Sequence, residues 1–427
     1  MENLTNLAGR QWISSQEDFI TSAGLTKVSA IVNKHCQRCG ARVSATLPNG
    51  KFYCRACIGI GRVVEGDLLV RNGVSRTFPH WQNGGLTWRG QLTNQQAEIS
   101  HKLVTNFQKG QNTLVHAVTG AGKTEMMFYQ VAKCLAKGGR CCIASPRIDV
   151  VNELFPRFKA AFTDLTIGKY HGRDFNEPGL EQLTICTTHQ LLKFFRAFDL
   201  LIIDEVDAFP YVADPQLHFG ARHAVKKPGV CTYLTATPTR ALLEQVKTGE
   251  LKLVRLQRRF HGGLLPVPRE RLFLRPYLAK GKIHPQLLKE IRLAVKQGHP
   301  LLLFVPRIEQ IPRYLAALKQ VSALSGLGIA GVHASDPHRL EKVDQFRRGE
   351  LQLLVTTTIL ERGVTFKHVW VIVVQADDQI YPAASLVQIA GRVGRAKDDS
   401  AGLVLFCYHK YTGNIRQAMQ QIRRMNQ

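Results

Sequence analysis

The run Thr119-Gly120-Ala121-Gly122-Lys123-Thr124 stands between an apolar, strand-like segment over 113–118 and a helix-patterned segment over 124–135. A glycine loop joining a strand to a helix commits a chain to parallel α/β layering, because such loops form where strand ends and helix N-termini converge. Gly120 and Gly122 let backbone N–H groups close on a phosphate with no Cβ in the way. The helix N-terminus adds favourable dipole charge. Residues Thr119, Gly120, Ala121 and Gly122 then cradle the phosphates of ATP, Lys123 reaches the β/γ-oxygens, and Thr124 offers its hydroxyl to Mg²⁺. Ala117 occupies the place of the pattern's first glycine.

The same alternation continues. Segments 113–118, 140–145, 183–188, 200–204 and 230–235 read as strands between helical stretches. A second series begins near His284, with strands over 301–305, 329–333, 351–356, 369–374 and 403–408 and helices over 285–296, 339–347 and 385–389. The expected fold is α/β, with two tandem parallel-sheet lobes over 86–250 and 251–427 behind an N-terminal region over 1–85. The chain carries 57 Lys+Arg against 32 Asp+Glu, a formal charge of +25. That excess points to a polyanion, nucleic acid before an anionic membrane surface. Between Leu251 and His299 twelve Lys/Arg face only Glu270 and Glu290. The Gly/Pro-containing passage over 258–276 within it is expected to be a basic hinge. No apolar run approaches the ~18 residues of a membrane span, so a cytoplasmic protein with no transmembrane segment is expected.

Cys36-Gln37-Arg38-Cys39 and Cys54-Arg55-Ala56-Cys57 are two Cys-x-x-Cys knuckles with fourteen residues between Cys39 and Cys54. Leu47-Pro48-Asn49-Gly50 would return the chain as a hairpin, giving a zinc ribbon over about 30–65 with Cys36, Cys39, Cys54 and Cys57 on one Zn²⁺. A disulfide pair and an iron–sulfur cluster are the alternatives. His35 reads as a bystander and the other cysteines as small core residues. Lys34, Arg38, Arg42, Lys51, Arg55 and Arg62, interleaved with Phe52 and Tyr53, suit contact with a single strand.

Leu200-Leu201-Ile202-Ile203 is a buried-strand pattern that ends in Asp204-Glu205-Val206-Asp207. In parallel sheets ligands sit at strand carboxyl ends. Asp204 is expected to hold Mg²⁺ and Glu205 to activate the attacking water. The hydroxyls of Thr235 and Thr237 are placed to bond Asp207 or Glu205 and report nucleotide state. In the second lobe Gln388-Ile389-Ala390-Gly391-Arg392-Val393-Gly394-Arg395 offers two arginines three apart, suited to stabilising charge on a transferred phosphoryl group.

Taken in chain order over roughly 90–410, these segments resemble the motifs of superfamily 2 helicases and translocases, whose lobes are RecA-like. The phosphate loop is similar to motif I, 204–207 to motif II, 235–237 to motif III, 356–364 to motif V and 388–395 to motif VI. The resemblance implies ATP hydrolysis on nucleic acid, with Gln96 touching adenine and Gln388 coupling the sites. It also implies a DNA backbone met by Pro146, Arg147, Thr187, Thr188, Thr356 and Thr357. Thr365 stands where motif V commonly has Asp. A four-cysteine ribbon ahead of the core is similar to the late-competence DNA-uptake ATPases of Gram-positive bacteria. That implies single-stranded DNA as the activating polymer, and partner competence proteins at the inner membrane face. A general replication-restart or repair helicase, and a zinc-ribbon binding protein with a vestigial ATPase, are the alternatives.

Overall fold

The computed structural model describes residues 4–15, 24–74, 77–172, 174–175, 179–256, 258–259, 262–394 and 402–426. They form two compact units, Met1–His116 with Gly122–Leu256 and Ala117–Ala121 with Gln257–Gln427.

The first unit is built on an eight-stranded sheet. Its order is Asp174–Phe175, Ile167–His171, Leu183–Thr187, Cys141–Ser145, Phe198–Asp204, Val225–Thr235, Thr113–Ala117 and Lys252–Leu256. From Ile167–His171 to Thr113–Ala117 every pairing is parallel. Cys141–Ser145 and Leu183–Thr187 are buried at every position, as strands covered on both faces must be. Lys252–Leu256 belongs to this sheet, so residues assigned from sequence to the second lobe pack here. Phe128, Phe158 and Phe162 meet edge-on and stacked where the helices Lys123–Ala136 and Ile148–Ala161 approach.

The N-terminal region adds a small antiparallel sheet that the sequence reading did not foresee, in the order Gln11–Ser14, Leu68–Asn72, Leu25–Ser29. The four-cysteine segment is inserted between its second and third strands in sequence. This region is not a free appendage, because its buried side chains run into those of the parallel sheet. Val43, Val63 and Leu69 share one hydrophobic core with Leu192, Phe194 and Ala221. A polar tie lies beside that core. Arg140 donates from Nη1 to the Ala8 carbonyl (2.8 Å) and from Nε to the Glu181 carbonyl (2.9 Å). Tyr170 donates to Glu181 Oε1 at 2.5 Å, and Arg10 lies 3.7 Å from the same carboxylate. Burial pushes the Arg140 guanidinium down to about 10.

The second unit holds a six-stranded sheet, parallel throughout, in the order Arg269–Leu272, Val404–Tyr408, Trp370–Val373, Leu301–Phe304, Leu353–Thr356, Ile329–Val332. The helices Pro285–Lys296 and Arg339–Arg347 fall where the periodicity places them. The passage expected to be a hinge contributes the edge strand Arg269–Leu272. Alternating charge there masks the strand, because an edge needs no continuous apolar run. Among the described residues no helix is long and apolar enough to cross a membrane.

Candidate functional site

The strand Thr113–Ala117 delivers the chain to the phosphate loop, and the helix Lys123–Ala136 leaves it. Gly120 and Gly122 take the left-handed conformation, with φ of 81° and 72°. The left-handed φ favours glycine at position 122, and a Cβ there, 2.3 Å from Gln96 Nε2, would also displace that side chain. Thr119, Ala121 and Thr124 are buried. Lys123 Nζ stands 3.7 Å from Asp204 Oδ1, a charge pair across the mouth of the loop.

Asp204 ends the strand Phe198–Asp204 and accepts the Glu205 backbone N–H at 2.9 Å. Glu205 itself has φ of 56°. A non-glycine residue held in the left-handed region at a strand end is strain of the kind that re-aims a functional side chain. Asp207 accepts from Thr235 Oγ1 at 2.6 Å and from Thr237 Oγ1, and the Thr237 N–H donates to Thr235 Oγ1 at 2.9 Å. Thr235, Thr237 and Asp207 are buried. The acidic strand end and the neighbouring strand end thus form one hydrogen-bonded unit.

His116 was missed from sequence. It precedes the loop and pairs through Nε2 with the Ala236 carbonyl at 3.2 Å, tying the loop's strand to the Thr235–Thr237 turn. Burial lowers its pKa below the ordinary histidine value, so it stays neutral and donates through Nε2. Its place just before the glycine loop was the available signal.

Gln96 has a structural task beside any nucleotide contact. Its Oε1 accepts the Thr93 N–H at 3.0 Å while its own N–H donates to Thr93 Oγ1 at 3.3 Å. This is a capping box at the start of helix Asn94–Gln108.

In the second unit Arg392 and Gln388 are buried. Gln388 lies on the helix Ala383–Ala390, and Arg392 follows its end and donates from Nε to the Glu361 carbonyl at 3.0 Å. Arg395 lies outside the described residues.

The residues expected along DNA are only partly accessible. Pro146, Thr187, Thr188 and Thr356 are buried. Thr188 and Thr356 have no exposed surface, and the Thr356 hydroxyl donates to the Thr357 carbonyl at 3.2 Å. Burial leaves the side chains of these four little surface with which to meet a strand. Arg147, the residue before helix Ile148–Ala161, and Thr357 keep surface exposure.

Cys36, Cys39, Cys54 and Cys57 are all buried, with their sulfurs within 4.8 Å of one another. The Cys36–Cys57 and Cys39–Cys54 sulfur separations are 3.9 and 3.6 Å. A tetrahedral Zn–S₄ centre with bonds of about 2.3 Å requires sulfur–sulfur edges of about 3.8 Å, so the cluster fits the ion. The cysteines are free thiols, against the disulfide alternative. Hydrogen bonds from Cys39, Cys54 and Cys57 lower the Cys36 thiol below its ordinary pKa. Arg38 Nε also donates to Cys57 Sγ at 3.3 Å. The expected hairpin is present, with Ala45–Thr46 paired to Phe52–Tyr53 and the Gly50 N–H donating to the Leu47 carbonyl at 2.9 Å.

Residues 93–246 match the DEAD/DEAH box helicase family, and residues 283–397 match the helicase conserved C-terminal domain. The chain is 43% identical over 397 residues to competence protein ComFA of Streptococcus pneumoniae, covering 92% of this chain and 90% of that protein. It is 40% identical over 413 residues to ComFA of Bacillus subtilis, covering 93% and 88%. Among solved structures it resembles the Mycobacterium smegmatis helicase Lhr bound to ssDNA and AMP-PNP. There the TM-score is 0.60 at 19% identity, covering 79% of this chain and 50% of the other. That likeness speaks for the fold alone.

Proposed function

The chain belongs to the ComFA family of superfamily 2 helicases, and from that premise we propose how its residues divide the work of an ATP-driven motor on single-stranded DNA. Its helicase domains make it an ATPase that uses Mg²⁺ and binds nucleic acid, a motor of natural competence. The observation that carries the assignment of roles is the Lys123–Asp204 pair at 3.7 Å. It puts a phosphate-seeking cation and a metal-seeking carboxylate at one loop mouth.

Backbone N–H groups of Thr119, Gly120, Ala121 and Gly122 hold phosphate oxygens, and Lys123 balances their charge. Thr124 and Asp204 would hold Mg²⁺, which would supply charge neutralisation for the phosphates. Glu205 orients the attacking water and takes its proton. Arg392 and Arg395 stabilise negative charge on the transferred group. Gln96 meets the adenine edge. Asp207, with Thr235 and Thr237, and Gln388 pass nucleotide state to the DNA-facing loops. Arg147 and Thr357 grip phosphates of the strand, which is read by backbone and not by base.

Cys36, Cys39, Cys54 and Cys57 hold one Zn²⁺ that organises the ribbon and takes no part in hydrolysis. The chain works in the cytoplasm, at the inner membrane face, beside other competence proteins that feed it the incoming strand. The test is ATP hydrolysis with and without DNA. Single strands of any base sequence should accelerate turnover far more than duplex does. A rate indifferent to every nucleic acid would end the motor reading.

A further inference from the structure

One buried cation in the second unit remains without a role in this scheme. Arg259 is 3% exposed. Its Nη1 donates to the Val393 carbonyl at 2.7 Å and to the Gly394 carbonyl, and its Nη2 to the Gly391 carbonyl at 3.3 Å. These oxygens lie just past the C-terminus of the helix Ala383–Ala390. The negative end of the helix dipole favours a cation at this place. A buried guanidinium is tolerated only when its donors are satisfied. Three carbonyls take up Nη1 and Nη2 here, and the planar fork spans them as an ammonium group does not.

The carbonyls of Gly391 and Val393 flank Arg392, so Arg259 grips the turn on both sides of the residue assigned to the transferred phosphoryl group. The turn itself is tight. Arg392 N–H donates to the Ile389 carbonyl at 3.0 Å, Val393 N–H to the Ala390 carbonyl at 3.2 Å, and Gly394 has φ of 70°. Arg392 Nε is anchored separately on Glu361. Without Arg259 the reactive turn would keep its helix and the Glu361 anchor, but lose three fixed points on its backbone.

We propose that Arg259 is a positioning residue for ATP hydrolysis: it holds the turn that presents Arg392 and so sets kcat. The proposal rests on the reading of Arg392 as the charge-stabilising arginine. The Arg392 variant tests that reading separately. Steady-state hydrolysis with saturating poly-dT is measured for the full chain and for R259A, R259K, R392A and the R259A/R392A pair. Binding of a non-hydrolysable ATP analogue, binding of poly-dT and thermal unfolding are measured alongside.

Misplacing a catalytic group by an ångström costs roughly 10²-fold in rate, so R259A should lower kcat by about that factor. Its KM for ATP and its affinity for poly-dT should stay within about twofold, the pattern of an interaction realised in the transition state. R259K should recover only part of the rate. Guanidinium ion added to R259A should restore activity, because it can enter the vacated place between the carbonyls. The double variant should be no slower than R392A, since the two act as one unit. If R259A does not fold, R259K carries the same comparison.

A collapse of kcat in R392A beside normal turnover in R259A and R259K would overturn the positioning role. So would losses that multiply in the double variant, or parallel falls in ATP affinity, DNA affinity and unfolding temperature. Normal turnover in R392A would instead reject the arginine reading, and the proposal with it.

Discussion

At the level of single residues, the hydroxyls of Thr235 and Thr237 both end on Asp207, and this pairing decides how nucleotide state is passed on. Replacing Asp207 by Asn removes the charge that both hydroxyls serve. The D207N protein should lose most of its stimulation by single-stranded DNA, measured as the ratio of ATPase rates with and without poly-dT. An unchanged ratio would remove Asp207 from the coupling path. Lys123→Ala should abolish hydrolysis and leave the unfolding midpoint near that of the parent, because Lys123 lines an open loop and supports no core. His116 adds a pH dependence. Burial lowers its pKa from 6.5, so the unfolded chain takes up the proton more readily than the folded one. The stability His116 contributes is present above about 6.5 and is lost as pH falls below that value. His116→Asn should flatten the fall of unfolding temperature between neutral and mildly acidic pH. A curve parallel to that of the parent protein would assign the acid sensitivity elsewhere.

Among the elements, the ribbon forms where its sequence places it, but its packing was not legible there. Two knuckles and a Pro-Asn-Gly bend are enough to foresee the hairpin and the sulfur cluster, since both follow from local spacing. They say nothing of what the module packs against. A Cβ on Gly40, at the first knuckle, would lie 2.5 Å from the Phe219 ring, and Phe219 belongs to the helix Pro215–Ala224 that follows the acidic strand end. That closeness is a tertiary fact with no sequence signal. The strands of the parallel sheets were legible where burial on both faces writes a continuous apolar run, as in Leu301–Phe304. Ile167–His171 and Arg269–Leu272 were not, because polar residues interrupt them. The phosphate loop and Asp204–Asp207 were legible because their chemistry needs particular residue types at fixed spacing. The burial of Thr188 and Thr356 was not legible, because a motif position carries no information about burial. Cys57→Ser should therefore do more than release the metal. With the ribbon's core continuous with Leu192, Phe194 and Ala221, the first unit should unfold at lower temperature while the second keeps its own transition. Metal analysis should find one zinc per chain in the parent protein and none in the variant. Iron with sulfide, or a first unit of unaltered stability, would contradict this account.

The molecule as a whole is a basic chain of +25 formal charge carrying two parallel-sheet units, the first with Lys123, Asp204 and Glu205 and the second with Arg392. Phosphate contacts release counterions, so affinity for single strands should fall linearly on a log–log plot against salt, with a slope of about −0.7 per contact. Arg147→Ala should reduce that slope by about one contact's worth, uniformly across base sequences. Binding alone does not make a motor, because a strand-activated ATPase could hydrolyse without moving. The decisive measurement is single-turnover translocation on single strands of increasing length, labelled at either end and followed by arrival of the protein at the label. A translocating motor should show an ATP-dependent lag that grows in proportion to length for one labelled end and is absent in Lys123→Ala. A lag independent of length at both ends, with ATP still hydrolysed, would contradict translocation.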